Sequence, residues 1–355
     1  MKRFFAVFIT AVLLLSSLII PAAAAGSDSY PYKTDEFLVR DPFILCYDGL
    51  YYMYGTGLAT TSGYGCRVSP DLENWSESYN VFISNSSFDA AGDFWAPECH
   101  YYNGSFYLLA SYRSKTTGYR GTSVFRSDSP LGPFTEISDG HITPHDADHI
   151  DGTLYIDENG TPWMAYVCEW TATDDGIGRM AVAKLSDDLS HFVSEPKQIF
   201  VAHDAPWCSS SVTDGPFLYR TEQGSLLMLW STSSHEGYCV GIARSDNGKI
   251  DGNWTQELTR VYSKAFYYDQ KNAFDGGHPM LFRTTDGTLM MAIHSPNSSS
   301  GEGDNRVFEH AVFYRMEEKQ DTLRIEKFYC INRFRDTITT IFNRIMDFFE
   351  DITGQ

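Results

Sequence analysis

Short apolar runs separated by turn dipeptides dominate this chain, and one order of them recurs five times. Each unit opens on a short apolar segment, at Asp41, Ala96, Asp151, Asp214 and Gly277. An Asp-Gly, Asn-Gly or Gln-Gly turn follows, at Asp48-Gly49, Asn103-Gly104, Asn159-Gly160, Gln223-Gly224 and Asp286-Gly287. A second apolar run comes next, and in the first four units a third segment carries a Ser-Pro-Asp or Ser-Asp signature, as at Ser69-Pro70-Asp71 and Ser245-Asp246. Asn-Gly and Asp-Gly between apolar runs are the strongest short-range signal for a β-hairpin. The units start 55, 55, 63 and 63 residues apart, with no helical period between the strands. That disfavours a (β/α) barrel. Four short strands per unit, repeated radially, predict an all-β fold, a five-bladed β-propeller.

Both ends depart from the repeat. Met1-Lys2-Arg3 precedes an apolar run from Phe4 to Ile20 and a Pro21-to-Ala25 stretch of small residues. This is the pattern of a secretory signal peptide over residues 1–25. From residue 331 to 355, Ile338, Ile341, Phe342, Ile345, Phe349 and Ile352 fall at helical spacing and predict a short C-terminal amphipathic helix. Residues 26–330 are then one propeller domain, secreted and monomeric.

A net charge of −19 disfavours nucleic acid and anionic membrane surfaces as partners and favours a neutral substrate. Seven cysteines with no CxxC pair form neither a disulfide framework nor a zinc site, and at most one or two bridges are expected. Nothing in the sequence asks for an organic cofactor.

In a propeller the first strand of each blade lines the axis, so residues at unit starts converge. Here they are Asp41, Glu98, Asp151 and Asp214, with His278 in the fifth unit. Clustered buried carboxylates raise one another's pKa values, the condition for acid and base work near neutral pH. Paired carboxyl groups are what glycosidic bond cleavage needs. Trp95, Trp170, Trp207, Tyr64 and Tyr238 lie near unit starts or connections, where rings can stack on sugar faces.

Taken in order, Arg40-Asp41-Pro42-Phe43, Phe94-Trp95-Ala96-Pro97-Glu98, Ile150-Asp151-Gly152-Thr153, Thr213-Asp214-Gly215-Pro216 and Gly276-Gly277-His278-Pro279 resemble glycoside hydrolase family 43. This is a family of five-bladed propellers that includes arabinanases, arabinofuranosidases and xylosidases. The resemblance runs from Arg40 to about Arg315. It implies an inverting hydrolase of arabinan- or xylan-type polysaccharides, with Asp41 as general base and Asp151 tuning and orienting the acid. The family's acid is usually a Glu before Gly-Pro, and here that place holds Asp214. Glu169 is the alternative acid. Arg40, Trp95, Glu98 and Trp170 are expected at the substrate. His278 matches a histidine that helps hold a calcium or other cation through water on the axis. The rival reading is a carbohydrate-binding propeller that kept the scaffold without turnover.

Overall fold

The computed structural model describes residues 29–266, 274–300 and 307–330. The expected signal peptide and C-terminal helix lie outside these residues. What is described is all β apart from short 3-10 turns.

The strands form successive antiparallel meanders in chain order. The first comprises Arg40–Tyr47, Leu50–Thr56, Gly63–Ser69 and Tyr79–Ile83. The second comprises Gly92–Tyr102, Ser105–Arg113 and Arg120–Ser127, with the short Thr135–Glu136 on its edge. The third comprises His149–Ile156, Pro162–Cys168, Arg179–Lys184 and Lys197–Val201. Asp214–Arg220, Leu226–Ser234, Gly237–Ser245 and Trp254–Gln256 make the fourth. Gly277–Arg283, Leu289–Ser295, His310–Lys319 and Thr322–Cys330 make the fifth. A single parallel pairing, His149 with Gly121, joins the second and third sheets.

The expected tight turns are present. Asp48 and Gly49 both have positive φ, as do Asn103 and Gly104, the conformation a two-residue hairpin requires. Second strands such as Leu50–Thr56 and Ser105–Arg113 are buried on both faces, because each sheet is sandwiched between neighbours. Their side chains fill the apolar clusters between sheets, around Tyr54, Trp75 and Phe313 and around Trp163 and Trp230. Each first strand packs against the first strand of the sheet before and after it, and the fifth packs against the first. The Val39 N–H bonds the Glu309 carbonyl (2.9 Å) at that last junction.

One local device recurs in all five first strands. The pairing register slips near the start of each, at a residue with positive φ: Asp41 (52°), Ala96 (44°), Asp151 (56°), Gly215 (51°) and His278 (55°). Such a β-bulge turns its N–H away from its own ladder. A buried N–H needs another acceptor, and in each case the preceding sheet supplies it. Thr56 Oγ1 takes the N–H of Ala96 (2.8 Å), and Ser111 Oγ that of Asp151 (3.1 Å). Ser231 Oγ takes that of His278 (2.8 Å), and His294 Nδ1 that of Asp41 (3.2 Å). Thr56, Ser111, Ser231 and His294 occupy one equivalent place on their second strands, opposite Arg40, Trp95, Asp214 and Gly277. In the third sheet that place holds Val167, opposite Ile150, which cannot accept. There the carboxylate of Asp151 takes the Gly215 N–H instead (3.1 Å).

Ser231 is fully buried. We expect Ser231→Ala, which strands the His278 N–H, to cost about 1–3 kcal/mol. Urea unfolding should show a lower midpoint at unchanged slope. An unchanged midpoint would mean that the inter-sheet bond contributes nothing.

Candidate active site

The bulges bring Asp41, Asp151 and His278 together, and Asp214 joins them one residue before its own bulge. Expecting Asp214 to sit at the place of Asp41 and Asp151 is therefore off by one: Gly215 takes that place. A side chain there would meet the His278 ring at 2.7 Å, so only glycine fits. In the second sheet the bulge residue is Ala96, not Glu98. Glu98 lies buried two residues further on and pairs with His100 Nε2 (3.0 Å).

The Asp41 carboxylate receives His278 Nδ1 on Oδ1 (3.1 Å) and the Thr56 hydroxyl on Oδ2 (2.7 Å). Burial works against its charge. The His278 imidazolium, through its charge and its hydrogen bond, and then Arg40 outweigh burial and hold the carboxyl far below the usual range. His278 is the converse case. Burial opposes its proton, but Asp41, Asp151 and Asp214 raise its pKa to about 10. It carries a positive charge at neutral pH.

Asp151 lies 3.8 Å from His278 Nδ1 through Oδ2 and is raised to about 6, by burial first and then by Asp41, against the pull of His278 and the Gly215 N–H. Asp214 is raised to about 7, by burial and then by Asp151. The two titrate as a pair, and the proton rests preferentially on Asp214. Asp214 Oδ2 also accepts the Tyr238 hydroxyl (2.9 Å). So one cluster, half-buried at Asp41 and Asp214, holds a carboxylate that stays charged and a carboxyl raised to about 7.

His294 is fully buried, and burial lowers its pKa to about 3. Its Nδ1 is therefore free to accept the Asp41 N–H. Sequence reasoning passed over both Thr56 and His294. Aligning the ends of the second strands, rather than the starts of the first, would have found them.

Glu169 follows the strand Pro162–Cys168, and its N–H bonds the Asp148 carbonyl (3.1 Å), which returns it to the rim of the site. Its Oε2 is ion-paired with Arg120 Nη1 (3.1 Å). Burial raises its pKa, while Arg120 opposes the shift. Arg120 also binds Asp148 (3.3 Å) and Asp93 (2.8 Å), and its guanidinium lies 4.4 Å from the centre of the Trp95 ring. Trp95 and Trp170 are both partly exposed at this rim. Arg40 is held by Glu309 (2.9 Å) and the Asn297 carbonyl.

Three of the rings expected to stack on sugars are otherwise engaged. Tyr64 is buried and donates to the Ser111 carbonyl (2.9 Å). Trp207 packs on Trp230 and donates to the Glu257 carbonyl (3.0 Å). Tyr238 is buried against Asp214. Cys46, Cys66, Cys99, Cys168, Cys208 and Cys239 are unbridged.

As for a cation, the donor set does not fit direct chelation. No group of three or more His, Cys, Asp or Glu side chains stands ready to hold a metal among the described residues. His278 Nδ1, the nitrogen that faces the aspartates, is bonded to Asp41.

Comparison with known proteins matches this arrangement to a family. The model of glycosyl hydrolases family 43 matches residues 36–322. An endo-arabinase structure from Bacteroides thetaiotaomicron VPI-5482 is 35% identical, with a TM-score of 0.72 over 82% of this chain and 99% of that one. An endo-1,4-β-xylanase structure from the same organism is 26% identical, with a TM-score of 0.68 over 84% of this chain and 98% of that one. The extracellular endo-α-(1→5)-L-arabinanase 1 of Bacillus subtilis (strain 168) is 26% identical over 48% of this chain. That match spans 54% of the Bacillus enzyme, and a match to xylosidase/arabinosidase 43A of Humicola insolens spans 39% of that enzyme. The bulged aspartates and the family match lead to one conclusion: the chain belongs to family 43 of the glycosyl hydrolases.

Proposed function

We propose that this protein is a secreted, monomeric five-bladed propeller that hydrolyses arabinan- or xylan-type polysaccharides with inversion, α-1,5-linked arabinan being the preferred candidate. One observation carries the reading: Asp41, Asp151 and Asp214 converge around the buried His278, with Asp41 pushed towards its charged form and Asp214 raised to about 7. The consecutive meanders, with first strands packed in a cycle, support the propeller. The apolar run from Phe4 to Ile20 and the extracellular Bacillus relative support secretion.

In this mechanism Asp41 takes a proton from a water, whose oxygen attacks the anomeric carbon. The bond to the leaving sugar breaks, its electron pair stays on the glycosidic oxygen, and Asp214 donates the proton that oxygen needs. Asp151 acts beside the acid. Its charge holds the proton on Asp214, and its bond to the Gly215 N–H fixes the backbone that carries the acid. Asp214 has one methylene fewer than glutamate, so this backbone placement sets its reach. Glu169, neutralised by Arg120, belongs to the rim. Trp95 and Trp170 offer apolar faces to the sugar chain.

Purified protein should release sugar from debranched arabinan, arabinoxylan or aryl glycosides. Asp41→Asn and Asp214→Asn should each lower turnover of the polysaccharide by about 10²–10⁴-fold, and Glu169→Gln by much less. Oligosaccharide binding with no turnover of any substrate would instead establish a binding module. If Glu169→Gln abolished turnover while Asp214→Asn kept it, the acid would be Glu169.

The raised Asp214 pKa also predicts a stability signature. A carboxyl whose pKa rises on folding contributes stability at low pH, which is lost as pH climbs through its folded value near 7. Asp214→Asn should therefore melt above wild type at pH 8, with the gap narrowing below pH 7 and closing only towards pH 4, the ordinary value for aspartate. A gap independent of pH would show that Asp214 does not titrate in this range.

A further inference from the structure

Resting on Asp214 as the acid, we propose that Tyr238 is a positioning residue that ties acid to base and leaves the transferable proton on Oδ1 of Asp214. Tyr238 lies on the strand Gly237–Ser245, and its hydroxyl donates to Asp214 Oδ2 at 2.9 Å. An oxygen that accepts this bond is the poorer place for the acid's own proton, which leaves Oδ1 to carry it. The ring stacks on His294, with centroids 5.7 Å apart and planes at 23°. His294 in turn accepts the backbone N–H of Asp41 (3.2 Å). One side chain thus spans the fourth and fifth sheets and touches both the acid and the residue that holds the base.

The surroundings are built to keep this ring in place. The Tyr238 N–H bonds Asp275 Oδ2 (3.2 Å), and a side chain at Gly237 would strike that same carboxylate at 2.8 Å. A side chain at Gly277 would meet Tyr238 Cε1 at 2.4 Å. The Gly-Gly before His278 therefore serves two needs: Gly277 leaves room for the tyrosine, and Gly276 passes close to the His294 carbonyl. Asp214 is faced by Asp151 from the third sheet, His278 from the fifth, Asp41 from the first, Glu169 from the rim and Tyr238 from its own sheet. Of these, Tyr238 alone is joined to Asp214 by a hydrogen bond.

The test is the pH dependence of kcat/KM for wild type, Tyr238→Phe, a 3-fluorotyrosine placed at position 238, and Asp214→Asn. The hydroxyl bond favours the carboxylate, so its loss should move the basic limb upward by about half a pH unit or more. The fluorinated ring is a stronger donor of nearly the same shape and should move the limb downward. It keeps the test open if the phenylalanine variant fails to fold. Tyr238→Phe should also slow a polysaccharide on the order of tenfold more than an aryl glycoside whose leaving group needs no protonation. A purely structural tyrosine would lower kcat without moving the limb, and a limb fixed in both variants overturns the proposal. Asp214→Asn separates the two claims. Loss of the limb there with no shift at Tyr238 rejects only the role of Tyr238. A limb that survives in Asp214→Asn rejects both readings.

Discussion

A buried, protonated histidine among three aspartates is the interaction on which this site rests. Three carboxylates drawn to one point would repel each other and lose their hydration, at a cost of several kcal/mol for each ion. His278 resolves the conflict unequally. Nδ1 bonds Asp41 at 3.1 Å and lies 3.8 Å from Asp151, so Asp41 keeps its charge while the Asp151–Asp214 pair is left holding a proton. The division into base and acid thus follows from one imidazolium lying nearer to one of three chemically identical side chains.

The fold makes that asymmetry possible through a repeated backbone fault. Non-glycine residues rarely adopt positive φ, and those that do cluster where the surroundings over-determine them. Here Asp41, Asp151 and His278 all do so, each with its N–H passed to the preceding sheet. The same bonds that aim the side chains inward also stitch sheet to sheet. At the one position where the preceding strand offers valine, Asp151 supplies the acceptor and thereby joins the stitching to the chemistry.

Much of this was legible from the chain alone. Asp48-Gly49 and Asn103-Gly104 mark their hairpins, and the recurring strand order places acids at the unit starts. What the residues could not reveal was which member of each motif carries the bulge. Asp151-Gly152 and Asp214-Gly215 read alike, yet the left-handed residue is Asp151 in one and Gly215 in the other. Glycine adopts that conformation without steric cost, and the His278 ring leaves room for nothing larger. Aromatic residues misled for a related reason. Tyr64 and Trp207 sit near the unit starts in sequence, but they point into packed neighbours, and only contacts between distant sheets decide that. Arg120, paired to Glu169 and lying against Trp95, sits on a third strand outside every motif and carried no signal at all.

That His278 sets the protonation of the aspartates unequally can be measured directly by carbon-13 labelling of the aspartate carboxyls and NMR across pH, with Asp41→Asn and Asp214→Asn used to assign the signals. The Asp41 signal should stay that of a carboxylate to the lowest pH the fold tolerates, while the Asp214 signal titrates near neutrality. Two signals that both titrate near 4, the ordinary value for aspartate, would contradict it.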